Sequence, residues 1–229
     1  FKVKKKVLLP IMALGISPFT MSITESLIQI SFNNQLSKYG GTMAVGTVAI
    51  MFSLWQFVTL PTQGFCQGAQ PIISYNYGAG NSNRVRRAYR LLLTCSVCYA
   101  MVFCLLIQLF PGVFAAIFTS NAELLAFTKP MLRIYTLALG LFGIQIACQM
   151  TFTSLGNAKA SIIVAVMRKF ILLLPLIYIM PHLYTADLTK AVFMAEPVAD
   201  VLAVAFTGVL FFFEFRKALR AMPKSEKRS

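Results

Sequence analysis

The stretch QGFCQGAQPIISYNYGAGNSNRVRRAYR, Gln63 to Arg90, admits two opposed readings. Its GAG resembles part of a nucleotide-binding loop. Its glutamines, proline and glycine turn, set before Arg84, Arg86, Arg87 and Arg90, equally describe a membrane helix ending at a basic surface. A phosphate loop requires GxxxxGK[ST], and a dinucleotide site requires GxGxxG behind a soluble strand. Neither pattern occurs. Gly78 and Gly80 permit positive φ, and Asn76 and Asn81 suit turn positions. The stretch therefore reads as helix end, turn and basic connection.

Composition points the same way. The 229 residues are 58% hydrophobic and only 12% charged, with a mean hydropathy of +0.72. Soluble domains carry about 25% charged residues. A net charge of +14 often signals nucleic-acid binding, but here the bases cluster between long apolar runs, so membrane topology is the expectation and nucleic acid is not. The chain begins FKVKKK, and its first apolar run lacks a small-residue cleavage site, so no signal peptide is expected. A chain that opens on Phe1 is expected to be a fragment of a longer one.

A spanning helix needs about 20 mainly apolar residues. Six segments qualify: Val7 to Phe32, Met43 to Cys66 or slightly beyond, Ala88 to Phe110, Met131 to Leu155, Ala160 to Pro181, and Ala191 to Phe213. The fifth is interrupted by Arg168 and Lys169, which are expected to snorkel towards the headgroups. The fold class expected is an all-α membrane protein of six transmembrane helices. With these spans, seventeen bases fall on one side: Lys2, Lys4, Lys5 and Lys6; Arg84 to Arg90; Lys159, Arg168 and Lys169; and six in the tail from Arg216 to Arg228. Four fall on the other, Lys38, Lys129, Arg133 and Lys190. By the positive-inside rule both ends are cytoplasmic.

Cys66, Cys95, Cys98, Cys104 and Cys148 lie in apolar runs. Cys95-x-x-Cys98 lacks a second CxxC, and His182 is the only histidine, so no metal site is expected. No nucleophile–base constellation appears, and enzyme chemistry and an organic cofactor are not expected.

Ionisable residues inside spans are functional candidates. Glu25, Glu196 and Asp200 qualify. Pro18, Ser22, Glu25, Gln29 and Asn33 share one helical face, with Pro18 favouring a kink. A carboxylate there can hold a proton or coordinate a small cation; the alternative is a polar stripe that bonds helix to helix. Glu196 and Asp200, four apart, face the same way and can share one proton, although Pro197 and the nearby loop place Glu196 towards the outer interface, where it suits a helix N-terminus. Gln56, Gln63, Gln67, Gln70 and Ser74 form a second stripe, and Gln145, Gln149 and Thr153 a shorter one. Each either lines a pathway or ties helices together.

The string QGFCQGAQPIISYNYGAGNSNRV closely resembles the end of the eighth helix of multidrug and toxic compound extrusion (MATE) transporters, particularly the MepA-like bacterial branch. GISPFTMSITESLIQISF is similar to the proline-broken acidic helix before it, and FGIQIACQMTFTSLGNAKAS and FMAEPVADVLA look like the tenth and twelfth helices. The resemblance covers essentially the whole chain. It implies one six-helix lobe, helices seven to twelve of a twelve-helix transporter, spanning residues 1–229 with a basic cytoplasmic tail at about 215–229. It further implies an N-terminal six-helix lobe as partner and residence in a bacterial cytoplasmic membrane. The implied activity is export of cationic or amphipathic compounds by antiport against H⁺ or Na⁺. Glu25 looks like the family's seventh-helix glutamate. The tenth-helix aspartate of better-known branches has no counterpart in Met131 to Leu155, so Asp200 or the other lobe would have to supply coupling. Two alternatives remain: a lipid or lipid-linked oligosaccharide flippase of the same superfamily, and a non-transporting scaffold. A flippase should carry mid-membrane Arg or Lys, and none is expected.

Overall fold

The computed structural model describes the backbone over residues 5–222 and side chains from Ile23 to Met222. Pro18 and Ser22 lie outside the described side chains, as do the bases of the N-terminal arm and the end of the tail. The described chain is helical: α1 (Lys5–Gly78), α2 (Ser82–Leu109), α3 (Pro111–Ala116), α4 (Ala122–Tyr135), α5 (Leu139–Ser154), α6 (Ala158–Val166), a π-helical segment (Met167–Leu173), α7 (Leu174–Leu183) and α8 (Leu188–Arg220).

At 74 residues α1 is far too long for one crossing, and it is not straight. Gly41 interrupts it with φ 63° and ψ −156°, a conformation open essentially to glycine alone. Phe32 and Phe52, twenty positions apart, meet edge to face with centroids 5.8 Å apart. On a straight helix they would stand about 30 Å apart. The chain therefore doubles back at Gly41, and α1 is a helical hairpin carrying the first two spans. The expected connection between Phe32 and Met43 is helical up to this single glycine.

The fourth span also departs from a simple rod. α4 and α5 are bent by 51° at a three-residue break. There the backbone takes tighter i−3 bonds, Leu139 N–H to Thr136 O at 3.1 Å and Leu141 N–H to Ala138 O at 2.9 Å. The Thr136 carbonyl also accepts from Cys104 Sγ at 3.4 Å, so the bend leaves few polar groups unmet, as a membrane interior requires. In the fifth span Pro175 has no N–H to offer the carbonyl of Ile171. The ladder shifts, with Leu174 N–H bonding to Lys169 O, and the π turn results. With the hairpin as two crossings and α4–α5 as one broken span, the described chain crosses six times.

The connections segregate to two ends. At one lie Gly41, α4's start and α8's start: Thr189 Oγ1 donates to Tyr39 O at 3.2 Å, and Thr47 and Thr128 share a hydrogen bond at 2.9 Å. Asn121 caps α4 by accepting from Glu123 and Leu124 N–H. Asp187 caps α8; partial burial works to raise its carboxyl, but bonds from Lys190 hold it below its ordinary value. At the other end lie the Gly80 turn (φ 73°), the arginines and the close of α8. Asn157 Nδ2 donates to Glu214 Oε2 at 2.9 Å there. Ile73, Val85 and Leu155 pack there against Phe215 and Leu219.

The main core lies nearer the Gly41 end, around Phe32, Met51, Leu132, Ile177 and Phe193. Small residues bring α2 and α5 close together. A β-carbon at Gly143 would lie 2.6 Å from the Ser96 carbonyl oxygen and 2.9 Å from Val97 Cα, both backbone atoms. Gly143→Ala is therefore expected to push the helices apart and cost about 1–3 kcal/mol, the usual range for overpacking. A lowered thermal midpoint of the full-length protein in detergent measures it; an unchanged midpoint would show that the two helices are free to separate.

Candidate functional site

The three acids inside spans and the two bases of the fifth span pair off into two neighbouring sets. Consecutive residues on a helix point well apart, at 3.6 per turn, so Arg168 turns to α8 while Lys169 turns to the N-terminal arm of α1. Arg168 Nε donates to Asp200 Oδ1 at 2.7 Å, and its Nη2 donates to Glu196 Oε1 at 2.7 Å. All three side chains are buried, with Asp200 1% exposed. Lys169 Nζ donates to Glu25 Oε1 at 2.6 Å, and this pair is asymmetric: the Glu25 side chain is 60% exposed, that of Lys169 19%.

The guanidinium plane is held by rings as well as by carboxylates. Its carbon lies 4.7 Å from the Phe142 centroid and 5.5 Å from that of Trp55, within cation–π range. Tyr135 packs on Trp55 edge to face at 6.2 Å. Trp55 lies fourteen residues past Gly41 and Asp200 thirteen past the α8 cap, so by the 1.5 Å rise the cluster is about 20 Å deep from that end. A hydrocarbon core is about 30 Å thick. The cluster lies within the membrane-spanning part of the helices.

These positions correct three expectations. Arg168 and Lys169 do not snorkel: acidic partners in α8 and α1 hold them at depth, and the partition of bases becomes fifteen to four. Glu196 does not stand at the outer interface, because α8 begins at Leu188 and carries it more than two turns in, under Arg168. Mid-membrane bases do exist, and both are engaged by carboxylates.

The candidate pathway residues divide. Glu25, Gln29, Asn33, Gln63 and Gln67 lie on the exposed surface of the lobe, whereas Gln70 and Gln149 are half-buried. Gln145 is buried and accepts from Thr207 Oγ1 at 2.8 Å, tying α5 to α8 in the manner of an interhelical bond. Arg168 was not among the sequence candidates, nor were its rings Trp55 and Phe142. The available signal was numerical, since two bases and three acids within spans call for mutual pairing.

A family model, MatE, matches residues 19–179. The chain belongs to the MatE family. This MatE chain is 24% identical over 208 residues to the multidrug export protein MepA of Staphylococcus saprophyticus, covering 90% of this chain and 45% of that protein. It is 27% identical over 184 residues to MepA of Staphylococcus aureus (strain MSSA476), covering 80% and 40%. Among solved structures, it superposes on the inward-facing conformation of a multidrug resistance MATE family transporter of the MOP superfamily with a TM-score of 0.85 at 17% identity, covering 96% of this chain and 51% of that one. The outward-facing conformation of such a transporter gives 0.83 at 17% identity, covering 96% and 49%. The chain spans about half the length of the relatives it matches. Its helical fold is that of one lobe of a MATE transporter.

Proposed function

We propose that this chain is the C-terminal lobe of a cation-coupled multidrug exporter, working with an N-terminal six-helix lobe in a bacterial cytoplasmic membrane, both ends cytoplasmic. The substrates are cationic or amphipathic small molecules exchanged against H⁺ or Na⁺. The MepA relatives support the export reading. The observation that carries coupling is the charge set itself. Glu196 and Asp200 share the single buried guanidinium of Arg168, while Lys169 is paired with Glu25, so one carboxylate has no base of its own, and an uncompensated charge in a bilayer is costly. One proton or one monovalent cation balances the set.

Glu25, Gln29 and Asn33 on one arm of α1, with Gln63, Gln67 and Gln70 on the other, are the residues proposed to line the pathway with the N-terminal lobe. The flippase alternative is disfavoured because Arg168 and Lys169 are both engaged by carboxylates, which leaves neither for an anionic headgroup. The test is ethidium efflux by the full-length protein in vesicles, with Na⁺ and pH gradients imposed separately. Efflux under at least one gradient is expected. Silence under both, with the protein folded and inserted, would overturn the proposal.

A further inference from the structure

We infer that Asp200 holds a proton on Oδ2 within the Arg168–Glu196–Asp200 cluster, and that this proton is the one the transporter exchanges. The inference rests on the coupled-export reading above and names its ion and its place.

Four observations converge. Asp200 Oδ1 is taken by the Arg168 Nε–H, but Oδ2 is buried and has no hydrogen-bond partner among the described residues. A bare carboxylate oxygen left so is expensive, whereas a carboxyl O–H removes the charge. The surroundings supply no further base. Arg168 on the π segment already serves two acids, Glu196 lies one turn back on α8, and Lys169 is spent on Glu25 of α1. Tyr135 of α4 lies within electrostatic reach of both α8 acids and is itself buried. From α5 the group meets Phe142, which is neutral.

The count is the third observation: protonating one acid of the three makes the whole set neutral. The fourth concerns which ion fits. A hard metal cation requires a shell of several oxygen ligands, and the groups placed around Arg168 and Asp200 are the Phe142 and Trp55 rings and one further acid, Glu196. A proton needs a single oxygen. When the proton leaves for water, the carboxylate that remains draws on Arg168, which must then divide its charge between two full anions. Arg168 is thus a positioning residue: it holds the Asp200 carboxyl in place and makes its two protonation states differ in how tightly α8 is bound to the π segment. Such a difference is what allows an ion to bias one arrangement over another.

The experiment uses the full-length transporter. Infrared difference spectra across a pH titration should show a protonated-carboxyl stretching band that is lost in Asp200→Asn and kept in Glu25→Gln. Asp200→Asn should retain ethidium binding in detergent, because it mimics the protonated acid, and lose ethidium efflux driven by a pH gradient. A Na⁺ gradient alone should drive no efflux in either protein. The inference is overturned if the band survives Asp200→Asn, if that variant exports at the wild-type rate, or if Na⁺ alone drives the wild type. If Asp200→Asn does not fold, Asp200→Glu serves: the band should shift, and an unshifted band overturns the assignment. Wild-type failure under both gradients would instead defeat the export reading, while the infrared band would still decide where the proton sits.

Discussion

Arg168→Met in the full-length protein is expected to lower stability by about 3–5 kcal/mol, the usual consequence of removing one partner from a buried ion pair. The guanidinium serves Glu196 and Asp200 at 2.7 Å each and stands against Phe142 and Trp55. Without it, α8 faces the π segment with at least one bare carboxylate in a dry interior. The expected readings are a fall in the detergent thermal midpoint and a loss of monodisperse protein. Arg168→Lys should recover little, since a single ammonium neither forks between two carboxylates nor stacks on rings. The triple variant Arg168→Met, Glu196→Leu, Asp200→Leu should recover most of the loss, because replacing a whole buried ion set by apolar residues of similar volume is often harmless. A wild-type midpoint for Arg168→Met alone would show that water reaches the cluster and that it does not hold α8 in place.

Hydropathy and the distribution of bases were enough to find six crossings, because both are properties of single segments. The stretch from Gln63 to Arg90 behaves as read: the helix ends at Gly78, the chain turns at Gly80 and α2 carries the arginines. What escaped was tertiary. The hairpin at Gly41 hides in a polar connection that looks like an ordinary loop, since only the backbone angle separates a kinked helix from a coil. At the bend between α4 and α5 the Thr136 carbonyl accepts from a sulfhydryl of α2, thirty-two residues away. Arg168 and Lys169 were misplaced because snorkelling is judged from one helix, whereas their partners lie on two others. Glu25 and Lys169 are 144 positions apart. The i, i+4 spacing of Glu196 and Asp200 announced a shared face, but not the base that occupies it. A rule that bases within spans must find the acids within spans would have paired them, without saying which acid takes which base.

The two ion groups differ in exposure, and this suggests a division of labour. The Arg168 cluster is sealed, so any ion it carries must enter through a change in packing. The Lys169–Glu25 pair stands at the surface of the lobe, where the exposed stripe of Gln29 and Asn33 continues it. A surface ion pair contributes little to stability, about 0–1 kcal/mol, and Glu25 is exposed enough for that range to apply. Its residue type therefore calls for an explanation outside folding. An acid that faces the pathway can release Lys169 when it takes up the proton on its way to or from Asp200, and adjacency to Arg168 carries that change to α8.

Glu25→Gln is accordingly expected to leave the fold intact and to remove gradient-driven export. The amide keeps the size and a hydrogen bond to Lys169, so the detergent midpoint should move by no more than about 1 kcal/mol equivalent. What it cannot do is change charge, and a site that binds its ion equally in both arrangements shifts nothing. Ethidium efflux by the full-length protein should fall to background under a pH gradient, while ethidium binding in detergent persists. The companion variant separates mechanism from mere pairing. If the acid only neutralises Lys169, then Glu25→Gln with Lys169→Gln removes both charges together and should restore efflux. If the acid itself must gain and lose charge, the double variant stays silent. Export at the wild-type rate by Glu25→Gln alone would reduce the Lys169–Glu25 pair to a tie between α1 and the π segment and would leave coupling to the buried cluster.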